Sequence, residues 1–219
     1  RVMHVYNWID PDHFNFKAAV IMRRPHHFIY ASSPDRGLIK LLRLWPRVLE
    51  LFPDATLDVF YGWRGAARLG NGADAAWNRR YLDARREYER LRFQKGVREV
   101  GMVNHLSIAR AFQAASAWLY PTDFHETCCT NAIKARAAGC VPVTSALAAL
   151  KETAACPQAQ IVYDVSEAGK PGEHYDNLWI EGVRHAVETS EAERKVMSEE
   201  AIRQFSWDAV APVWREILA

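Results

Sequence analysis

The chain is 219 residues long, carries 28 Lys and Arg against 26 Asp and Glu for a net charge of +2, and is 49% hydrophobic and 25% charged. That length supports one full α/β domain with a sizeable core and is short for two, and the composition excludes a mainly disordered or fibrous chain. Near-balanced charge argues against nucleic acid as a partner, and no run approaches the roughly 20 apolar residues needed to span a bilayer.

Arg1 to His4 does not begin a secretory signal, so the expected location is cytoplasmic, with any membrane contact made only through parts outside this chain. The first residue is not Met, as expected of a piece of a longer protein. His4 to Tyr6 reads as a short strand-like piece leading into Asn7-Trp8-Ile9-Asp10-Pro11. Six further apolar runs then read as buried or half-buried strands: 27–31, 56–61, 97–100, 117–120, 141–143 and 161–163.

Between the strands lie amphipathic stretches. Leu38, Leu41, Leu42, Trp45, Val48 and Leu49 recur at helical spacing within 37–51, and 106–115, 130–138 and 177–188 behave similarly. Residues 66–91, rich in Arg, Glu, Asp and Ala with Gly70-Asn71-Gly72 as a breaker, read as a loop followed by a charge-solvated, exposed helix. Residues 190–219 give one or two closing helices, with Ser206 as an N-cap. Alternating strands and helices of this kind predict a doubly wound, Rossmann-like parallel sheet with helices on both faces.

In such a sheet ligands sit beyond the carboxyl ends of the strands, so the loops there hold the candidates. Ser32-Ser33-Pro34-Asp35-Arg36-Gly37 puts small hydroxyls and a guanidinium, Arg36, beside a helix start, where bidentate phosphate binding and a plain surface Arg are about equally natural. Gly62 and Gly101-Met102-Val103 follow two other strands and permit close backbone approach, though each alone is an ordinary turn signal. The segment from Tyr120 to Thr144 joins a strand end, a polar loop carrying Glu126, a helix opening near Thr130 and a second strand. Unpaired N–H groups at that helix start suit phosphate, and a carboxylate beside them suits a neutral polyol, so a sugar diphosphate supplies both partners.

Blander readings hold elsewhere. His125 has no partner that the sequence identifies and reads as a loop residue, and Trp63, after Gly62, is the one tryptophan to watch as a base-stacking surface. Four cysteines (Cys128, Cys129, Cys140, Cys156) show neither CxxC spacing nor an assigned base, so disulfide, zinc and nucleophile readings are weak and no metal is expected. Neither GxGxxG nor GxxxxGK[ST] occurs, which disfavours dinucleotide and P-loop enzymes.

Taken in order, Asn7-Trp8-Ile9-Asp10 through Phe14, Ser33-Pro34-Asp35-Arg36-Gly37-Leu38, Pro53 to Gly62, Gly101-Met102-Val103, Tyr120 to Glu126, Ala138-Gly139 with Val141-Pro142-Val143, and Phe205-Ser206-Trp207 resemble the C-terminal, donor-binding domain of retaining GT-B glycosyltransferases of the family 4 type. The resemblance covers nearly the whole chain. It implies a single nucleotide-sugar-binding domain over residues 1–219, the C-terminal half of a GT-B fold, with the N-terminal acceptor-binding domain absent from this chain and required as its partner. By the same resemblance the activity is hexose transfer from a nucleotide-diphosphate sugar to an acceptor, without a metal or other cofactor.

The resemblance gives the catalytic work to Glu126, which would contact donor-sugar hydroxyls, and to Arg36, which would neutralise the departing phosphate. Donor binding would involve Ser33, Gly37, Gly62, Thr127, Cys129, Thr130 and Asn131, with Met102 and Val103 flanking the base. One position departs from the family: the second acid of its EX7E motif should fall at 134, where this chain has Lys134. A lysine ammonium donates but cannot accept, so a ribose grip is lost there or replaced by contact with a phosphate. Lys134→Glu is accordingly expected to tighten donor binding. Two rival expectations stand beside this one: a GT-B-like scaffold that has lost its donor, and half of a non-hydrolysing sugar-nucleotide epimerase.

Overall fold

The computed structural model describes residues 5–16, 21–63, 75–156, 160–163 and 173–218. In chain order the elements are β1 (Arg24–Ala31), α1 (Leu38–Leu51), β2 (Thr56–Phe60), α2 (Ala75–Leu91), β3 (Val97–Gly101), α3 (His105–Ala114) and β4 (Ala115–Tyr120), followed by α4 (Thr130–Ala137), β5 (Val141–Ser145), α5 (Leu150–Thr153), β6 (Gln160–Tyr163), α6 (Glu173–Glu188), α7 (Glu191–Phe205) and α8 (Trp207–Leu218). All strands are parallel and run in the order β3-β2-β1-β4-β5-β6. The strand order therefore reverses between β1 and β4, and that is where a ligand crevice opens in a doubly wound sheet.

Burial follows strand position. The two central strands read as continuous apolar runs because helices cover both of their faces: β4 is buried at every position and β1 from His27 onward. The expectation of a half-buried 97–100 run is corrected at the sheet edge, where Arg98, Glu99 and Val100 are exposed. On one face α1 packs on α2 and α6, and α6 reaches β4, β5 and β6; on the other, α3, α4 and α7 form the cover.

Helix α1 shows how local sequence and tertiary contact cooperate. Pro46 lies inside it and has no N–H to donate to the Leu42 carbonyl one turn back. The Gln94 side-chain amide donates to that carbonyl instead, at 2.9 Å. In the apolar stripe of α1, Leu38, Leu41, Leu42, Trp45 and Val48 are fully buried and Leu49 is half-buried.

Several boundaries differ from the sequence reading. Of the 4–6 piece, His4 lies outside the described residues and Val5 and Tyr6 form no strand; the ordered contact of this region is an isolated bridge between Ile9 and Ser206. Tyr6 is held by side-chain packing instead, edge-on to Phe205 at 5.0 Å. The Gly70-Asn71-Gly72 breaker also lies outside the described residues. The helix after it is not only solvated, since Tyr81 and Tyr88 are buried. The closing region is two helices, and Ser206 stands between them in extended conformation, its carbonyl accepting from the Ala209 and Val210 N–H groups.

Candidate functional site

The crevice at the β1/β4 reversal is built from two loops that depend on each other. After β1 the chain makes a 3-10 turn, Pro34–Arg36, and passes Gly37 at φ +121° into α1. A Cβ at Gly37 would lie 2.6 Å from the Pro121 carbonyl oxygen of the loop after β4, so glycine is required twice, for its backbone angle and for its closeness. The Tyr30 hydroxyl donates to the Ser33 carbonyl at 2.7 Å, and the Asn131 amide at the start of α4 donates to the Ala31 carbonyl. Glu126 joins the next loop along, its carbonyl accepting from the Ala149 N–H at 3.2 Å.

Within this frame Arg36 and Glu126, expected to share a site, meet. Arg36 Nη1 lies 3.4 Å from Glu126 Oε1, and the guanidinium stacks 3.8 Å from the Phe124 ring centroid. The same Oε1 accepts from the Tyr120 hydroxyl at 2.7 Å, and Ser32 donates to Tyr120 at 3.4 Å. Burial raises the Tyr120 pKa far above the phenol range; the Ser32 and Thr122 hydroxyls oppose this and Glu126 adds to it. The phenol therefore stays protonated and serves Glu126 as a donor.

The other crevice residues are less free than expected. The Ser33 hydroxyl is turned to the Asp35 carboxylate. Thr127 is exposed on the loop, with Cys129 buried and Thr130 half-buried behind it. At the start of α4 the Thr130 N–H donates to the Cys128 carbonyl at 3.1 Å and the Ala132 N–H to the Cys129 carbonyl at 3.0 Å. The Cys129 sulfur also draws on the Ala132 and Asn131 N–H groups. The expectation of unpaired N–H groups at this helix start is thus corrected in part. Burial pushes the Cys129 thiol up to about 12, so it stays neutral and leaves the positive end of the helix dipole uncancelled.

Lys134 lies one turn further along α4, half-buried, its ammonium 5.2 Å from the Phe14 ring centroid. Burial lowers its pKa. Gly62, Met102 and Val103 lie apart from the crevice, at the ends of β2 and β3. There Tyr61, Gly62, Trp63, Gly101 and Met102 help line a groove of about 760 Å³. Tyr61 takes a left-handed backbone angle, φ +83°, a strained conformation for a residue with a side chain, and Gly62 follows at +70° without that cost. Trp63 is not the stacking platform the sequence suggested: it is only 9% exposed and packs on Tyr81 and Tyr88, at 5.2 and 5.3 Å between ring centroids.

Sequence reasoning missed Tyr120 and Phe124 as members of the site. Tyr120 carried one usable signal, a hydroxyl-bearing ring as the last residue of a fully buried strand. Among the described residues no group of three or more His, Cys, Asp or Glu side chains could hold a metal ion, and no helix is long and apolar enough to cross a membrane.

No protein-family model matches the chain, and no curated protein matches it by sequence. Solved structures do match in fold. The Anabaena protein HepE, in complex with UDP-glucose, aligns at a TM-score of 0.67 with 14% identity over 98% of this chain and 55% of that one. A sucrose-phosphate synthase from Thermosynechococcus elongatus aligns at 0.65 with 18% identity, over 97% and 51%. AviGT4, a glycosyltransferase involved in avilamycin A biosynthesis, aligns at 0.60 with 14% identity, over 95% and 54%. The chain spans about half the length of these structures. Its architecture, a doubly wound parallel sheet with helices on both faces, is that of the C-terminal half of a GT-B fold.

Proposed function

We propose that this chain is a nucleotide-sugar-binding domain of a retaining glycosyltransferase of the family 4 type, which transfers a hexose from a nucleotide-diphosphate donor to an acceptor held by a separate N-terminal domain. The observation that carries this reading is the Arg36–Glu126 pair at the point where strand order reverses, at 3.4 Å. A guanidinium beside the start of α4 supplies charge for a diphosphate, and a carboxylate next to it accepts from sugar hydroxyls. Charge grows on the phosphate oxygen as the glycosidic bond breaks, and Arg36 stabilises it without a metal or other cofactor. Gly62, Met102 and Val103 offer the base a place at the ends of β2 and β3, while Ser33, Gly37, Thr127, Cys129, Thr130 and Asn131 shape the phosphate side. The chain acts in the cytoplasm in this reading and is inactive without its acceptor domain.

A thermal-shift panel of UDP-, GDP- and ADP-hexoses tests the proposal. A ligand at a hundredfold excess over its Kd stabilises the fold by about 2.7 kcal/mol. One donor is expected to do so, and Glu126→Ala or Arg36→Ala is expected to cut the response to about half at the same ligand concentration, as a tenfold loss of affinity requires. A panel with no response from wild-type protein sinks the reading in favour of a scaffold. That second reading draws on one observation: Lys134 offers no acceptor and is half-buried against Phe14. Calorimetry on Lys134→Glu separates the two, since tighter donor binding supports the enzyme and no gain supports the scaffold.

A further inference from the structure

Glu126 presents its two oxygens unequally. Among the described residues both of its side-chain donors, Tyr120 and Arg36, approach Oε1, which leaves Oε2 as the oxygen available to a ligand. The side chain is only 11% exposed, so little water competes for it. We propose that Tyr120 is a positioning residue: it pins Oε1 of Glu126 so that Oε2 alone is presented to a donor-sugar hydroxyl. This rests on the nucleotide-sugar reading above and deepens it.

The surroundings of Tyr120 suit that task. Its ring is fully buried, stacked on Trp118 at 4.7 Å and 24° and flanked by Tyr30 at 6.0 Å, so it is held against swinging. Ser32 donates to the phenol oxygen, and the phenol proton is thereby committed to Glu126. The result is a one-way chain of hydrogen bonds running from Ser32 through Tyr120 to Glu126.

Arg36 is held differently. Its side chain is 35% exposed, its contact with Glu126 is long at 3.4 Å, and its stacking on Phe124 leaves its remaining N–H groups for other acceptors. A diphosphate offers the guanidinium a bidentate partner that one long contact cannot match. Once Arg36 turns to phosphate, Tyr120 is the donor that keeps the carboxylate from following it. The two donors thus divide the work: Arg36 answers to the diphosphate and Tyr120 keeps the sugar-binding oxygen in place.

Calorimetry on the whole chain tests this with UDP, GDP and ADP and with their glucose esters. The ratio of the Kd for the sugar ester to the Kd for the bare nucleotide isolates what the hexose contributes. Loss of a hydrogen bond to a charged group makes Glu126→Ala raise that ratio by about tenfold and Tyr120→Phe by about fivefold. The bare-nucleotide Kd of Tyr120→Phe is expected to stay within about twofold of wild type, which shows that the crevice is still folded. Ser32→Ala, one bond further away, is expected to raise the ratio less, in the same direction.

If Glu126→Ala raises the ratio and Tyr120→Phe does not, the positioning role is overturned while the proposed function stands. If Tyr120→Phe weakens ester and nucleotide equally, its role is merely structural and the proposal is again overturned. If wild-type protein binds none of the six compounds, the function and this proposal fall together.

Discussion

The two ends of the sheet hold their cations in opposite ways. At the amino end of the strands Arg194 is 2% exposed and donates to the carbonyls of Ala186 in the last turn of α6, Thr189 just past it, Gly139 between α4 and β5, and Ser116 near the start of β4. Beside it Arg23 donates to the Ala115, Phe112 and Ala138 carbonyls, and its Nε lies 3.2 Å from Glu191. Burial, with Arg23 nearby, lowers the Arg194 pKa to about 10, so it remains charged at neutral pH. At the carboxyl end Arg36 has one long contact and an aromatic face. Both ends use guanidinium groups, but only at the amino end do several backbone carbonyls hold each of them. There the charge ties helix ends to strand starts; at the carboxyl end it is left for a partner from outside.

That contrast can be broken most sharply at Arg194. Arg194→Met leaves its buried carbonyls without donors, and about 3–5 kcal/mol of stability is expected to vanish from denaturant unfolding. A loss under about 1 kcal/mol would show that the amino end is no tighter than the carboxyl end.

Acid sharpens the comparison next, through His27 near the amino end. Its Nδ1 lies 2.9 Å from the Thr56 hydroxyl, and its Nε2 faces Asp58 at 3.6 Å. Burial first, then Arg24, lowers its pKa from 6.5 to about 4, with Asp58 opposing and Arg98 adding to the fall. The unfolded chain therefore binds the extra proton between pH 6.5 and 4. His27 contributes stability that is full above pH 6.5 and is lost as the pH drops toward 4, on the order of 3 kcal/mol at most. His27→Gln is expected to flatten the pH dependence of the unfolding midpoint in that window, and an unchanged slope would count against a neutral buried imidazole.

Gly37→Ala probes the seam of the crevice. With φ at +121° and Pro121 at 2.6 Å, the added methyl is expected to cost about 2–3 kcal/mol and to weaken nucleotide binding as well. Ser190→Ala removes the capping box of α7, in which the Ser190 hydroxyl accepts from the Glu193 N–H, and is expected to cost about 1 kcal/mol with ligand binding untouched. Arg36→Ala is expected to change stability least, by less than about 1 kcal/mol, because its ion pair is long and partly solvated. Its nucleotide affinity is nevertheless expected to fall about tenfold, since a charged hydrogen bond to phosphate is lost. A destabilisation as large as that of Arg194→Met would erase the distinction between the two ends.

The fold was legible where periodicity is strong. The apolar spacing of α1 and the buried runs of β1 and β4 marked themselves, because burial on two faces favours apolar residues at nearly every position, His27 and Ser116 excepted. The ends of elements were less legible: α6 begins at Glu173 rather than 177, since a first turn with Tyr175 as its one core residue carries no apolar period. Trp63 misled because an aromatic beside a glycine looks like a ligand platform, and only the packing of Tyr81 and Tyr88 against it shows that it belongs to the core.

For the site, the sequence by itself marked Arg36, Gly37 and Glu126 as loop residues after strands, because residue type and strand period are local properties. Tertiary structure alone decided that Arg36 and Glu126, 90 positions apart in the chain, share one oxygen with Tyr120. It also decided that the crevice carbonyl of Pro121 excludes any side chain at Gly37. The reason is physical: strand order in a parallel sheet is set by which helices cover which face, and no local pattern records which two loops will end side by side.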